Sequence, residues 1–331
     1  LIEAIFGGQM PIRTTRREDI ERLAKPLWLL LNACSWKSDA TSFDQLKSAA
    51  LGIVAHLAYC DVDSEEIRYR YRAKVTPCEI YQRIIEGGEI SNVVEILGRM
   101  DFVNCAVLRT RRYVALIVPA REMLLIGVRG TQFAYDWFYN LRAHKRRGNV
   151  LGSRSRFHAG FLAEAGSLAY QIQQYIQGRH ATDGPATERV HLSGHSLGGA
   201  IAAILNATSW AGPTLSVESC YIYGAPRIAS ATALRHLRQP FPIRRTSDPV
   251  PHVPPKQLNY GDYTYRIQPD GAFFNESVGP ELWNYAKWLL TLKGKRFIEN
   301  HCIERYRCEM MKKAGKDHRV HGRWNGPGPF A

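Results

Sequence analysis

The sequence predicts an α/β fold: a doubly wound, mostly parallel sheet with an N-terminal helical layer and one short covering segment. Three observations carry this. Short apolar runs alternate with helical stretches from residue 102 onward, an amphipathic helix precedes them, and a glycine-rich turn joins a strand to a helix mid-chain. The 331 residues suit one large domain better than two small ones. The expected division is an N-terminal extension over 1–40, a single α/β domain over 41–310, and a basic, irregular tail over 311–331.

Ser42 and Gln45 read as a capping box. Behind them Phe43, Leu46, Ala50, Ile53, Val54 and Leu57 recur at helical spacing through Tyr59. Further helices are expected over 77–87 and 91–97, parted by Gly87-Gly88. Strands follow over 104–110, 113–118 and 123–128, with breaks at Arg111-Arg112 and over 119–122. The alternation continues with helix 159–177, strand 189–193, helix 197–208, strand 216–223, helix 230–237 and strand 243–246. A helix over 280–292 closes the series before the tail.

The net charge is +14, and Lys and Arg gather over 142–156 and after Arg305. Such patches are either a solvated surface or a face for an anionic membrane or lipid interface. No RNP, zinc-finger or helix-turn-helix pattern supports a nucleic-acid partner. Seven cysteines, at 34, 60, 78, 105, 220, 302 and 308, form no CxxC pair and no metal-ligand spacing. Their odd number leaves at least one thiol free, which tilts the expectation to a soluble protein in the cytoplasm ahead of a secreted one, although up to three disulfides fit the count. The first residue is Leu, so the lack of a signal peptide carries no weight. The early apolar run over 27–33 falls well short of the roughly 20 residues that span a bilayer. Oligomeric state is left open.

Gly194-His195-Ser196-Leu197-Gly198 is a G-x-S-x-G turn between an expected strand and an expected helix, the nucleophile elbow of an α/β-hydrolase fold. The turn strains the serine backbone, needs small residues two positions to either side, and lifts the hydroxyl above the sheet. It also aims the Leu197 amide at the place where an oxyanion would develop, at a helix N-terminus that favours negative charge. The competing reading is a glycine-rich turn with a buried serine.

In this fold the acid and the base follow the serine in chain order. Asp248 lies in a proline-stiffened loop just after strand 243–246; Asp262 and Asp270 fall in a later tyrosine-rich hairpin and are weaker candidates. Five histidines follow Ser196: His236, His252, His301, His318 and His321. His236 sits on a helix, the last two in the tail, and His252 too near Asp248 on the same loop. His301, opening a separate segment, is the expected base. His191 and His195 precede the nucleophile and read as structural. The division of labour is a neutral imidazole that takes the serine proton and a buried carboxylate that fixes its tautomer.

Six motifs in order make the chain resemble the class 3 lipases, the fungal-type triacylglycerol lipase family, from about residue 43 to Tyr306. They are Gly127-Val-Arg-Gly-Thr, Phe157-His-Ala-Gly-Phe, residues 192–200, Tyr223-Gly-Ala-Pro-Arg, Asp248-Pro-Val-Pro, and Asn300-His-Cys-Ile-Glu-Arg-Tyr306. The resemblance implies that Thr131 is the second oxyanion donor beside Leu197, and that Asp248 and His301 are acid and base. It also puts a lid over 132–141, where Phe133, Trp137 and Leu141 share one helical face for covering an apolar groove or simply for core packing. Asn300 stands where many members carry Asp. Asp136-Trp137 and His158 match the family's pattern and read as structural.

The expected activity is hydrolysis of carboxylic esters of lipids through an acyl-enzyme, with no cofactor and no metal. A phospholipase A1 on anionic phospholipids is the enzymatic alternative. A catalytically silent lipid-binding homologue is the non-enzymatic one.

Overall fold

The computed structural model describes residues 17–36, 42–61, 92–110, 113–130, 145–150, 153–183, 188–208, 210, 215–274 and 300–318. The helices expected over 77–87 and 280–292 and the lid lie outside them.

Strands β1 (Ala106–Arg109), β2 (Val114–Ala120) and β3 (Met123–Val128) form an antiparallel edge. A short separate ribbon pairs β4 (Lys145–Val150) with β5 (Ser153–His158). The main sheet continues in parallel from β3 through β6 (Glu188–His195), β7 (Leu215–Tyr223), β8 (Phe241–Ile243) and β9 (Arg266–Ile267), and β10 (Phe273–Phe274) turns back against β9.

Strand side chains point alternately to opposite faces, so runs that are apolar throughout must be covered on both sides. On β2 and β3, Leu116, Val118, Met123 and Leu125 enter one core, while Ala115, Ile117, Leu124, Ile126 and Val128 enter another. The first core is closed by α1 (Arg17–Ala33), α2 (Gln45–Leu57), α3 (Val93–Gly98) and α7 (Ile303–His318); the second by α4 (Ala159–Asp183), α5 (Leu197–Ala207) and α6 (Ala231–Arg235). The result is the three-layered, mostly parallel arrangement of an α/β-hydrolase. Its parallel strands put the residues after β3, β6, β7 and β8 at one end of the sheet, where the loops converge.

Four local expectations are corrected. The cap of α2 is Asp44, whose Oδ1 accepts the Lys47 amide at 2.9 Å, not Ser42. Gln45 instead donates to the carbonyls of Pro269 (3.0 Å) and Met310 (3.3 Å), tying α2 to α7. The eighth strand covers Phe241–Ile243 rather than 243–246, because the chain turns away to form the loop that carries Asp248. The tail after Met310 is helical to His318: Tyr306, Met310 and Ala314 extend an apolar stripe at i, i+4 spacing into the core, and that burial overrides the run of charge. Residues of the N-terminal extension also join the domain, since Ile20, Leu23, Leu27 and Leu30 of α1 share the core of α2.

The loop beyond β8 is held from beneath by Asp262. Its carboxylate accepts Arg227 Nε at 2.8 Å and meets Arg266 Nη2 at 2.7 Å and Lys256 Nζ at 2.9 Å. Arg227 also donates to the carbonyls of His252 and Pro254, so one guanidinium ties the loop together. Burial alone would raise the Asp262 carboxyl, but hydrogen bonds and charge from Arg227, then Lys256 and Arg266, hold it well below the usual carboxylate range.

Asp44→Ala is expected to cost about 1 kcal/mol in urea unfolding, more than Ser42→Ala. Asp262 has a lower pKa folded than unfolded, so the unfolded chain takes up its proton first. Its contribution is complete above the unfolded value of about 3.9 and fades as pH falls toward the folded one. Asp262→Asn should cost roughly 3–5 kcal/mol at neutral pH and flatten this acid limb, as read from urea midpoints against pH.

Candidate active site

Strand β6 ends at His195 and helix α5 begins at Leu197, so Ser196 alone makes the turn. Its backbone sits at φ 56° and ψ −130°, a region that costs a non-glycine residue about 1–3 kcal/mol. Neighbouring bonds hold it there. The Ser196 amide donates to the Tyr223 carbonyl at 2.9 Å, and its own carbonyl accepts from Gly199 at 3.0 Å. A side chain at Gly194 would run into the Gly198 carbonyl, so the turn closes only around glycine.

Three side chains distant in sequence meet above this turn. His301 Nε2 lies 2.7 Å from Ser196 Oγ, and His301 Nδ1 lies 2.8 Å from Asp248 Oδ2. All three residues are buried, Asp248 to 1% exposure. Both carboxylate oxygens are engaged. Oδ1 accepts the Val250 amide at 3.0 Å, and Oδ2 also accepts the Tyr306 hydroxyl at 2.6 Å. Burial, then the charge of Asp248, pushes the Tyr306 phenol well above its ordinary range, so it remains a donor. Because Asp248 occupies Nδ1, the Nε2 lone pair faces the hydroxyl, the geometry a general base needs. Gly224, at φ 56°, is required here: a Cβ would stand 2.6 Å from Asp248 Oδ2 and 3.2 Å from His301 Cε1.

His301 is delivered by the approach to α7. Arg245 donates to the Asn300 carbonyl at 2.6 Å and pairs with Glu309 at 2.9 Å, which pins the start of that helix to the loop bearing Asp248. Leu197, the first residue of α5, has an amide with no carbonyl to meet within the helix, at the end where the dipole favours an anion. Thr131, Phe133, Trp137 and Leu141 lie outside the described residues; Gly130 is the last described residue at the end of β3.

The remaining candidates fall elsewhere. Asp262 belongs to the cationic cluster beneath the loop, and Asp270 caps the Ala272 amide at 3.0 Å on the surface. His252 contacts Arg244 and is pushed down to about 3 by burial, Arg244 and Arg227. His236 ends α6, His318 ends α7, and His321 lies outside the described residues. His191 meets Ser219 Oγ at 2.8 Å under Trp36, and burial with Lys47 and Arg189 lowers it to about 3. His158 stacks on Phe161 at 4.0 Å. Tyr306 and Arg245 were not singled out from sequence. Tyr306 closed a quoted motif, but a tyrosine on a helix looks like any core aromatic until its partner is known.

Among the described residues no group of His, Cys, Asp and Glu could hold a metal ion, and no helix is long and apolar enough to cross a membrane. The described cysteines form no disulfide with one another, and burial raises Cys34 and Cys220 strongly and Cys105 to about 12.

Residues 125–258 match the model of the lipase (class 3) family. A secreted mono- and diacylglycerol lipase of Fusarium solani is 26% identical over 145 residues, covering 43% of this chain and 42% of that protein, so the match spans under half of the curated relative. Two solved structures are distant likenesses. Mono- and diacylglycerol lipase from Aspergillus oryzae is 14% identical with a TM-score of 0.47, covering 73% of this chain and 82% of that one. Lipase II from Rhizopus niveus is 16% identical with a TM-score of 0.46, covering 72% and 94%. The tilt toward the cytoplasm is overturned by the Fusarium relative, which is secreted. The reason is physical: a thiol held protonated by burial resists oxidation in either compartment, so an odd cysteine count does not report one. The segment that matches the class 3 lipase family thus runs from β3 past the elbow at Ser196 to the loop that bears Asp248.

Proposed function

We propose that this chain is a serine hydrolase that cleaves carboxylic esters of lipids through an acyl-enzyme, using one α/β domain. The supporting observation is the continuous row of hydrogen bonds from Ser196 through His301 to Asp248. In this reading Ser196 Oγ attacks the ester carbonyl while His301 Nε2 takes its proton. Asp248 stabilises the resulting imidazolium, and the Leu197 amide, with Thr131, donates hydrogen bonds to the carbonyl oxygen as it gains charge. Collapse of the tetrahedral adduct breaks the ester bond, and His301 returns the proton to the leaving alcohol. A water then repeats the sequence on the acyl-enzyme and regenerates Ser196.

A second reading, action on anionic phospholipid, is favoured by the β4–β5 ribbon. Arg147 lies directly across from Arg156, and both are exposed, as is Arg146. Like charges opposite one another weaken a strand pair, and an anionic surface would relieve that repulsion.

Wild type should react with a fluorophosphonate probe and Ser196→Ala should not. Asp248→Asn should lower kcat about 10⁴-fold with the fold intact by circular dichroism. Unlabelled wild type would leave the silent lipid-binding alternative. For the second reading, Arg147→Glu with Arg156→Glu should abolish the preference for vesicles of anionic over zwitterionic lipid in both binding and hydrolysis. An unchanged preference would remove it.

A further inference from the structure

Two polar side chains beside the row have no part in the chemistry above. Tyr59 lies in the single turn Ala58–Cys60 that follows α2, and His195 immediately precedes the nucleophile. His195 Nε2 is 2.7 Å from the backbone carbonyl of His301, which can only accept, so this nitrogen carries the proton. Burial, then the charge of His301, pushes His195 well below the ordinary histidine range and keeps the ring neutral. Its Nδ1 is therefore an acceptor, and it stands 2.8 Å from Tyr59 Oη. That hydroxyl donates to Nδ1 and accepts the Gly130 amide at 3.0 Å. Every donor and acceptor in this run has one assignment: Gly130 to Tyr59, Tyr59 to His195, His195 to the His301 carbonyl.

We infer that Tyr59 and His195 are positioning residues that tie Gly130, at the end of β3, to the backbone of the base His301 and so set the oxyanion side of the site against the base. The inference rests on the serine-hydrolase reading. Gly130 directly precedes Thr131, and a Cβ on it would stand 2.5 Å from Tyr59 Oη and 2.8 Å from Ser196 Cβ, so the strand end lies against both the tyrosine and the nucleophile. The turn after α2, the end of β3, β6 and the approach to α7 each contribute one member, and among the described residues no backbone ladder links β3 to the His301 segment. The Tyr59–His195 pair supplies that link.

In the transition state, negative charge grows on the ester oxygen as positive charge grows on His301, so the spacing of their two supports is felt there more than when the neutral ester merely binds. The pair therefore acts on kcat rather than KM. The Tyr59 hydroxyl serves two partners at once, and Tyr59→Phe would take that partner from both the Nδ1 acceptor of His195 and the Gly130 amide.

The test uses the purified full chain with a 4-nitrophenyl ester and an alkyl boronic acid, whose tetrahedral anion needs the oxyanion donors. Tyr59→Phe is expected to lower kcat about 10- to 100-fold and to weaken the boronic acid by a similar factor, with KM within about twofold and the melting temperature lowered but the chain still folded. Should that variant fail to fold, two others decide. His195→Gln keeps a donor near the position of Nε2 but no acceptor for Tyr59, and His195→Asn keeps an acceptor near Nδ1 but cannot reach the His301 carbonyl, so each breaks the run at one joint and should lose as much kcat as Tyr59→Phe. A wild-type kcat in Tyr59→Phe or in either His195 variant, or a loss that falls on KM rather than kcat, would overturn the inference. Wild type that does not react with fluorophosphonate sinks the hydrolase reading instead.

Discussion

A carboxylate removed from water must have its oxygens fully hydrogen-bonded, and Asp248 imposes that demand on this molecule. Its donors come from three places: its own loop through Val250, helix α7 through Tyr306, and the approach to α7 through His301. Removing any of these leaves a buried charge short of a partner. The fold therefore cannot hold the acid without also bringing the imidazole and the phenol to it. Loop, helix and sheet are mutually fixed by one charge.

The same economy appears around the serine. Strain at a positive φ persists only where the surroundings over-determine it, and here β7 supplies an acceptor to the Ser196 amide while α5 grows from its carbonyl. The two apolar faces of the sheet supply the rigidity. Leu116, Val118 and Leu125 are fastened to one helical layer, while Ile117, Leu124 and Ile126 are fastened to the other. A sheet clamped from both sides cannot relax the turn by sliding, so the strain is retained where the hydroxyl is presented.

Much of this was legible in the sequence. Alternation of short apolar runs with helical periods located β2, β3, β6, β7, α4 and α5, because both signals come from burial on two faces. The elbow was legible because sterics there admit only glycine at Gly194. What escaped was decided by contacts between distant segments. Asp44 rather than Ser42 caps α2, and its own amide is held by the Tyr221 hydroxyl from β7. The last helix outlasts its run of charge because Met310 and Ala314 meet a core that no local window reveals. Tyr59 and Tyr306 look like ordinary aromatics in the chain; only the fold gives their hydroxyls partners.

His301 stands 105 residues after Ser196, and Tyr306 follows on α7. During synthesis the serine thus emerges from the ribosome long before the imidazole that lies against it, and the last donor to Asp248 comes later still. A nascent chain carries the elbow with nothing to deprotonate it. On the proposed reading the row from Ser196 to Asp248 is complete only after α7 docks, so a newly made molecule stays inert toward nearby esters until its folding has reached that helix.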